Sequence, residues 1–375
     1  MIKIINNNFY RQLVEAILVT LLGFVLIFLF FIVLDEVDNL GRPSIYSVNE
    51  YFTVLTLLRL AVLETPFLAY DLLPICVLIG SVYVLSRLAV QSEFTVLRSC
   101  GFSPISAIAI MLKLGLLFAL ITYITGDYLS PIADTQKTII KAEYDGGYSA
   151  GHTGGWLREQ RANQGYATLN VGELLPNGEF FKIRIYDFDD AGHLLMRIDA
   201  ESGKLQDGLF VLKLVQQYEY LTNGETMGIP TVVSKSFPVL EWTTSLQSSM
   251  ISATLLDKQR MNTLNLYQVI RHLRSNGQNS QRQEIEFWSK LIYPLSCVVM
   301  ALMALPFAYL HFRQSGVSLY VFVGIMLGIS FFLLSNMFTY IGNIQGWRPW
   351  LAAASPSLLY VSLSMAAVAW RVLRR

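Results

Sequence analysis

The sequence predicts an α-helical polytopic membrane protein, with six transmembrane helices in a three-plus-three arrangement and an inserted antiparallel β-domain of jelly-roll-like character. Three observations carry this. Of 375 residues, 53% are hydrophobic and 15% charged, whereas a soluble domain carries about a quarter charged residues. The apolar excess falls in runs of about 20 residues, the length that crosses the hydrocarbon. The stretch from Tyr128 to about Lys290 holds no such run and alternates with period two instead.

In chain order, residues 1–15 carry Lys3 and Arg11 and read as a short interfacial helix. Span one is Ala16–Leu34. It ends in Asp35, Glu36 and Asp38 with no small-x-small cleavage pattern, so it reads as a retained anchor. Residues 35–64 are mixed, and Ile45–Leu63 reads as an amphipathic or re-entrant piece. Span two is Thr65–Ser86, with Pro66, Asp71 and Pro74 near its outer end. Span three runs from about Ile105 to Ile124–Asp127 and contains Lys113. A lysine at the bilayer centre costs roughly 3 kcal/mol, so Lys113 is expected to snorkel, or the helix to enter the bilayer later.

Between spans two and three lies the polar stretch Arg87–Pro104, read as a short helix. Val90, Phe94 and Leu97 recur at i, i+4, i+7 and make an apolar stripe. Gly101 is the expected C-terminal cap. Ser103-Pro104 is the expected start of the next helix, with the hydroxyl at N-cap and proline at N1. Glu93 stands out. Its helical neighbours are Ala89, Val90, Val96 and Leu97, so no basic side chain neutralises it locally. It is either a solvated surface carboxylate or an acceptor for a basic side chain from another protein.

In the insert, Phe181, Ile183 and Ile185 alternate with Lys182 and Arg184. Leu194, Met196, Ile198 and Ala200 form a second row. Phe210, Leu212 and Leu214 form a third, followed by Tyr218 and Tyr220. Turn signals at Asn177-Gly178, Asp189–Gly192, Asp207-Gly208 and Asn223-Gly224 separate the rows. Such short strands predict a sandwich or jelly roll over about Gly146–Ser249. The three cysteines, Cys76, Cys100 and Cys297, lie outside it, so packing and strand pairing must hold it together. Leu266, Val269, Ile270 and Leu273 then make a helical stripe ending at Asn276-Gly277. Ser280 and Gln283 form a capping-box pattern. Span four is Leu291–Leu310, span five Val317–Ile341 and span six Trp350–Trp370. The divisions are an N-terminal membrane half (1–127), the β-domain with its stalk (128–262), amphipathic helices (263–290) and a C-terminal membrane half (291–375).

Orientation follows from the Lys/Arg bias. With the N-terminus inside, cytosolic ends and loops carry Lys3, Arg11, Arg87, Arg98, Arg313, Arg371, Arg374 and Arg375, and short outer loops only Arg42, Arg59 and Arg348. Arg274, Arg282 and Lys290 precede span four on the outer side, and long loops escape the rule. Both termini are then cytosolic and the β-domain outside. The net charge of +1 argues against a nucleic-acid partner.

No G-x-x-x-x-G-K-[ST], H-E-x-x-H or G-x-S-x-G occurs. The four histidines (His152, His193, His272, His311) are scattered. This pattern fits a transport subunit driven by a separate ATPase. Two other classes remain: a lipid-modifying enzyme built on Asp35, Asp38, Asp71 and Asp127, and a mechanotransmitting scaffold of another ATPase complex.

Specific stretches resemble a known family. Arg87…Gln91-Ser92-Glu93…Leu97-Arg98-Ser99-Cys100-Gly101-Phe102-Ser103 is similar to the coupling-helix signature of the lipopolysaccharide-export permeases LptF and LptG. Phe287-Trp288-Ser289-Lys290…Pro294-Leu295 through Leu305-Pro306-Phe307 resembles the segment entering their fourth span. Phe307–Arg313 and Gly324–Gly328 resemble LptG more than LptF. The resemblance covers essentially the whole chain. It implies a subunit that extracts lipopolysaccharide from the inner membrane and passes it to a periplasmic protein bridge. The implied partners are an LptF-like second permease, a cytosolic LptB-like ATPase dimer, a single-span LptC-like protein and an LptA-like bridge. The chain itself takes no cofactor, and ATP and Mg belong to the ATPase. Glu93 falls at the family's coupling carboxylate, with Arg87, Phe94, Leu97 and Arg98 around it. The implied lipid site lies between spans one and five. Phe24, Phe28, Phe31, Phe322, Phe331 and Phe332 are its apolar walls, and Arg42 and Lys137 its headgroup contacts. Asp35 stands where some members place a lysine.

Overall fold

The computed structural model describes residues 2–44, 50–99, 103–145, 148–149, 154–161, 165–174, 178–206, 208–221, 231–244, 246, 261–309 and 316–373. Gly101, the Asn223-Gly224 turn signal and residues 311–315 lie outside these. The chain divides into two compact units. One comprises Met1–Asp35, Glu64–Pro131 and Gln281–Arg375, and the other Glu36–Leu63 and Ile132–Ser280.

Among the described residues, six helices are long and apolar enough to cross a membrane. Helix α1 is Ile2–Val37. The short interfacial helix and span one are thus one element, because no proline or glycine interrupts residues 2–22. A bridge between Pro43 and Tyr51 follows. Helix α2 is Val54–Val90 and starts well before the expected Thr65, absorbing much of the piece read as re-entrant. It runs through Pro66 and Pro74, as membrane helices tolerate. Helix α3 is Glu93–Ser99. Helix α4, Pro104–Ile124, begins as the sequence predicts: Ser103 is the N-cap, its Oγ accepting the Ser106 N–H at 3.2 Å, and Pro104 follows. A π turn, Thr125–Leu129, leads into α5, Ser130–Asp145. After the sheet come α6 (Thr263–Ser275), capped by Asn262, and α7 (Gln281–Ile292). A 3-10 turn, Tyr293–Leu295, joins α7 to α8, Ser296–Ala308. The fourth membrane-length segment is therefore Gln281–Ala308, ten residues longer at its start than the apolar run Leu291–Leu310. Helices α9 (Val317–Ile344) and α10 (Pro349–Leu373) complete the unit. Lys113, nine residues into α4, is exposed.

Burial separates inner from outer spans. Of an 18-residue apolar window, 61% is buried in span two and 67% in span four, against 44% in span three, 11% in span one and 22% in spans five and six. Glycines set the close approaches. A Cβ at Gly115 of α4 would stand 2.6 Å from the Val298 Cα of α8, and one at Gly80 of α2 would stand 2.8 Å from the Ile17 backbone of α1. On α9, Tyr320, Gly324, Gly328 and Phe331 form the buried stripe. Gly328 faces Ile75, where a Cβ would come within 3.1 Å. The opposite stripe (Leu319, Phe322, Met326, Ile329, Leu333) is exposed.

The β-unit holds one antiparallel sheet of seven strands: β1 Tyr148–Ser149, β2 Gly155–Gln160, β3 Tyr166–Leu174, β4 Phe180–Phe188, β5 Leu194–Gln206, β6 Leu209–Leu221 and β7 Thr231–Thr243. β3 to β7 form a meander, and β1 and β2 both pair with β3. A transverse crease crosses it. Buried residues step by three instead of two at Phe180/Ile183, Ala200/Gly203 and Leu212/Val215. The positions between, Lys182, Glu201, Leu214 and Pro238, interrupt the ladder register, and Lys182 and Leu214 have φ of 55° and 52°. The expected rows are corrected accordingly. Phe180, not Phe181, shares the core with Ile183, and Val215 replaces Leu214, which is 64% exposed. Tyr218 consequently lies on the outer face. Both halves feed one contiguous core, so the sandwich-like layering arises within one folded sheet.

Gly115→Leu is expected to separate α4 from α8 and lower the thermal midpoint of the detergent-solubilised protein by several degrees. Gly23→Leu, where a Cβ meets nothing within 4 Å, is expected to leave it unchanged. Differential scanning fluorimetry compares the two.

Candidate functional site

The α2–α3 junction is built from a helix break. α2 closes with Gln91 N–H on the Arg87 carbonyl (3.0 Å) and Ser92 N–H on the Ala89 carbonyl (3.1 Å). Ser92 then takes φ 61°, a left-handed conformation uncommon for a non-glycine residue. It redirects the chain, and its carbonyl accepts the Val96 N–H at 3.2 Å to start α3. Val90 and Phe94 therefore do not share one helical stripe. Val90 is 46% exposed at the end of α2, while Phe94 is 2% exposed, edge-on to Tyr309 at 5.2 Å and 83°.

Phe94 anchors α3 and leaves its first residue outward. Glu93 is exposed. With Asn8, Phe9, Gln12, Leu88, Gln91 and Val96 it lines a groove of about 370 Å³. One wall comes from α1, which is tied to α2 by an Arg87 Nη2 hydrogen bond to Gln12 Oε1 at 2.8 Å. The Arg87 Nε is buried without an acceptor. Leu97 and Arg98 lie in α3, but their side chains fall outside the described residues. The arrangement offers a carboxylate on the rim of a mixed apolar and amide groove, a shape suited to a protein carrying a basic group.

The lipid-facing candidates divide. Phe28 (41%), Phe31 (56%), Phe322 (58%) and Phe332 (39%) are exposed. Phe24 packs partly against the helical core. Phe331 is 4% exposed and edge-on to Tyr360 at 5.1 Å, so its ring is internal packing in this chain. Arg42 is exposed in the turn after α1, its carbonyl accepting the Phe52 N–H at 2.8 Å. Lys137 is half-buried on α5. Sequence reasoning missed the neighbouring ion pair of Lys141 with Glu36, which also accepts from Asn39 Nδ2 at 2.6 Å.

It also missed a polar knot among the spans. Lys290 of α7 lies 3.9 Å from Asp127 of the π turn, each side chain 10% exposed. Tyr293 Oη donates to the Asp71 carbonyl at 2.6 Å, and its ring lies tilted at 47° to that of Tyr70 at 4.9 Å. Asp127 ends span three and Lys290 immediately precedes span four, and this matched placement of opposite charges was the available signal. Asp127 is thereby engaged, and among the described residues no three His, Cys, Asp or Glu side chains gather as a metal site.

The model of the lipopolysaccharide export system permease LptF/LptG family matches residues 9–374. The chain belongs to this family. It is 26% identical over 305 residues to the lipopolysaccharide export system permease protein LptG of Escherichia coli K12, covering 80% of this chain and 81% of that one. It is 25% identical over 365 residues to LptG of Haemophilus influenzae, covering 96% and 97%. LptF of Escherichia coli K12 is 24% identical over 335 residues, covering 84% and 82%. Within this LptF/LptG chain, six spans and one inserted sheet are the main described elements, with α3 and α6 beside them.

Phe94→Ala is expected to remove a buried ring at a cost of about 3–5 kcal/mol. Hydrogen exchange at the amides of 93–99 should rise at least tenfold, with the sheet amides unchanged.

Proposed function

We propose that this chain is the LptG-type transmembrane subunit of a lipopolysaccharide exporter. It withdraws the glycolipid from the inner membrane and hands it to a periplasmic protein bridge. One observation carries the reading: the family match runs through both membrane halves and the inserted sheet. The chain has no phosphate-binding loop, so the work comes from a cytosolic LptB-like ATPase dimer that uses ATP and Mg. An LptF-like permease is the second subunit. The LptC-like single-span protein and LptA-like bridge complete the route. The termini and the α2–α3 junction face the cytosol, and the sheet faces the periplasm.

Glu93, exposed on the groove rim, meets a basic side chain of the ATPase, while the buried Phe94 passes the motion into the bundle. The outward aromatics of α1 and α9 face acyl chains at the seam with the second permease. Arg42 and Lys137 stand toward the phosphorylated head, where arginine and lysine recognise phosphate.

Glu93→Ala is expected to fold normally and to weaken capture of the ATPase. Loss of one member of a desolvated charge pair costs roughly 2–5 kcal/mol, which is about 30-fold or more in affinity. Pull-down of the ATPase and ATP-driven release of lipopolysaccharide from reconstituted complexes measure it. Wild-type values for both in the variant would remove Glu93 from this role.

A further inference from the structure

The core of the β-unit occupies one face of the folded sheet. On the half beyond the crease, the opposite face carries an open layer of rings and guanidinium groups. Trp156 of β2 is 51% exposed. It stacks near-parallel with Tyr186 of β4 at 6.0 Å and 20°. These strands are not neighbours: β3 runs between them, with Thr168 opposite both Arg158 and Tyr186. The two rings therefore stack on one another across a third strand, with Trp156 about half exposed. Alongside, Tyr166 and Phe188 stack at 4.9 Å and 20°, with the Arg158 guanidinium 3.4 Å from the Tyr166 ring centre.

Charge on this face is one-sided. Arg158, Arg184 and Arg197 lie on it by strand parity, and Asp199 is its one described carboxylate on β2 to β6. Asp199 is already taken up: Arg197 donates to it from Nε at 2.9 Å and from Nη2 at 2.5 Å. Arg197 also sits 5.9 Å and 5.7 Å from the Tyr186 and Tyr218 ring centres. Two arginines are left over, and Arg184 is exposed.

We propose that this face is a binding subsite for the anionic sugar head of the glycolipid cargo, an inference that rests on the export reading above. The exposed Trp156 ring receives the C–H face of a sugar ring. Guanidinium forks beside them pair with phosphate or carboxylate groups on the sugars. Protein partners bind best where aromatic anchors enter desolvated pockets. Here Trp156 stays exposed, Arg158 is held against the Tyr166 ring and Arg184 is open to solvent, which suits a charged and heavily hydrated ligand.

The test uses the purified full-length permease complex. The probe is deacylated, phosphorylated lipopolysaccharide oligosaccharide, measured by calorimetry beside its dephosphorylated form. Trp156→Ala is expected to weaken binding of the phosphorylated probe at least tenfold, and Trp156→Phe to retain it. Arg184→Gln is expected to lower affinity for the phosphorylated probe to that of the dephosphorylated one. ATP-driven extraction of a lipid bearing only the minimal sugar head should be unchanged in all three. Equal affinity in wild type and Trp156→Ala overturns the proposal, as does no binding by a wild-type complex that extracts lipid normally. Capture of a protein that depends on Trp156 while oligosaccharide binding does not would reassign the face to that protein. Failure of wild type to extract any lipid would instead count against the export reading, since the probe measurement stands apart from transport.

Discussion

The close approach of helix backbones at glycine is the constraint on which the membrane unit rests. Lipid tails are as apolar as leucine, so spans gain little by hiding apolar side chains from them; van der Waals contact must hold the bundle. Gly80 admits the Ile17 backbone, Gly115 that of Val298, and Gly126 the ring of Tyr70. These contacts draw α2, α4 and α8 into a core. They leave long stripes of α1 and α9 turned outward, and those stripes are the surfaces a second subunit or a lipid can use. The α2–α3 junction inherits its position from the same core, because Phe94 packs within it beside Tyr309.

Much of the architecture was legible before any coordinates. Apolar length announced the six spans, and period-two alternation announced the sheet. Helix ends were harder. The starts of α2 and α7 lie in polar or mixed sequence, where hydropathy is silent and only tertiary packing decides that the helix continues. Strand facing was legible within each half of the sheet but not across the crease. Lys182 and Leu214 carry no glycine signal, yet they take left-handed backbone angles. A period-two rule then misassigns every residue beyond them, as it did for Leu214 and Tyr218.

The site shows a similar division. Glu93 could be singled out because its helical neighbours are apolar, a local property. Its setting could not, since the break at Ser92 and the α1 wall with Asn8 and Gln12 depend on residues about 80 positions apart. The aromatic walls were chosen by residue type. Type does not distinguish Phe331, packed on Tyr360, from Phe332 beside it, which is 39% exposed. Pairings such as Lys290 with Asp127 and Lys141 with Glu36 join distant stretches, and one chain read alone gives each charge without its mate.

The crease has a consequence for how the β-unit can change over time. Gly172, Lys182, Glu201, Leu214 and Pro238 form one hem line across five strands. Ironing a single strand flat would turn its far half over, presenting Phe210 and Leu212 to water and Val211 to the interior, while its neighbours kept their old facing. No one-strand intermediate keeps a filled core. Descendants of this sheet should therefore keep the hem on all five strands or lose it on all five together.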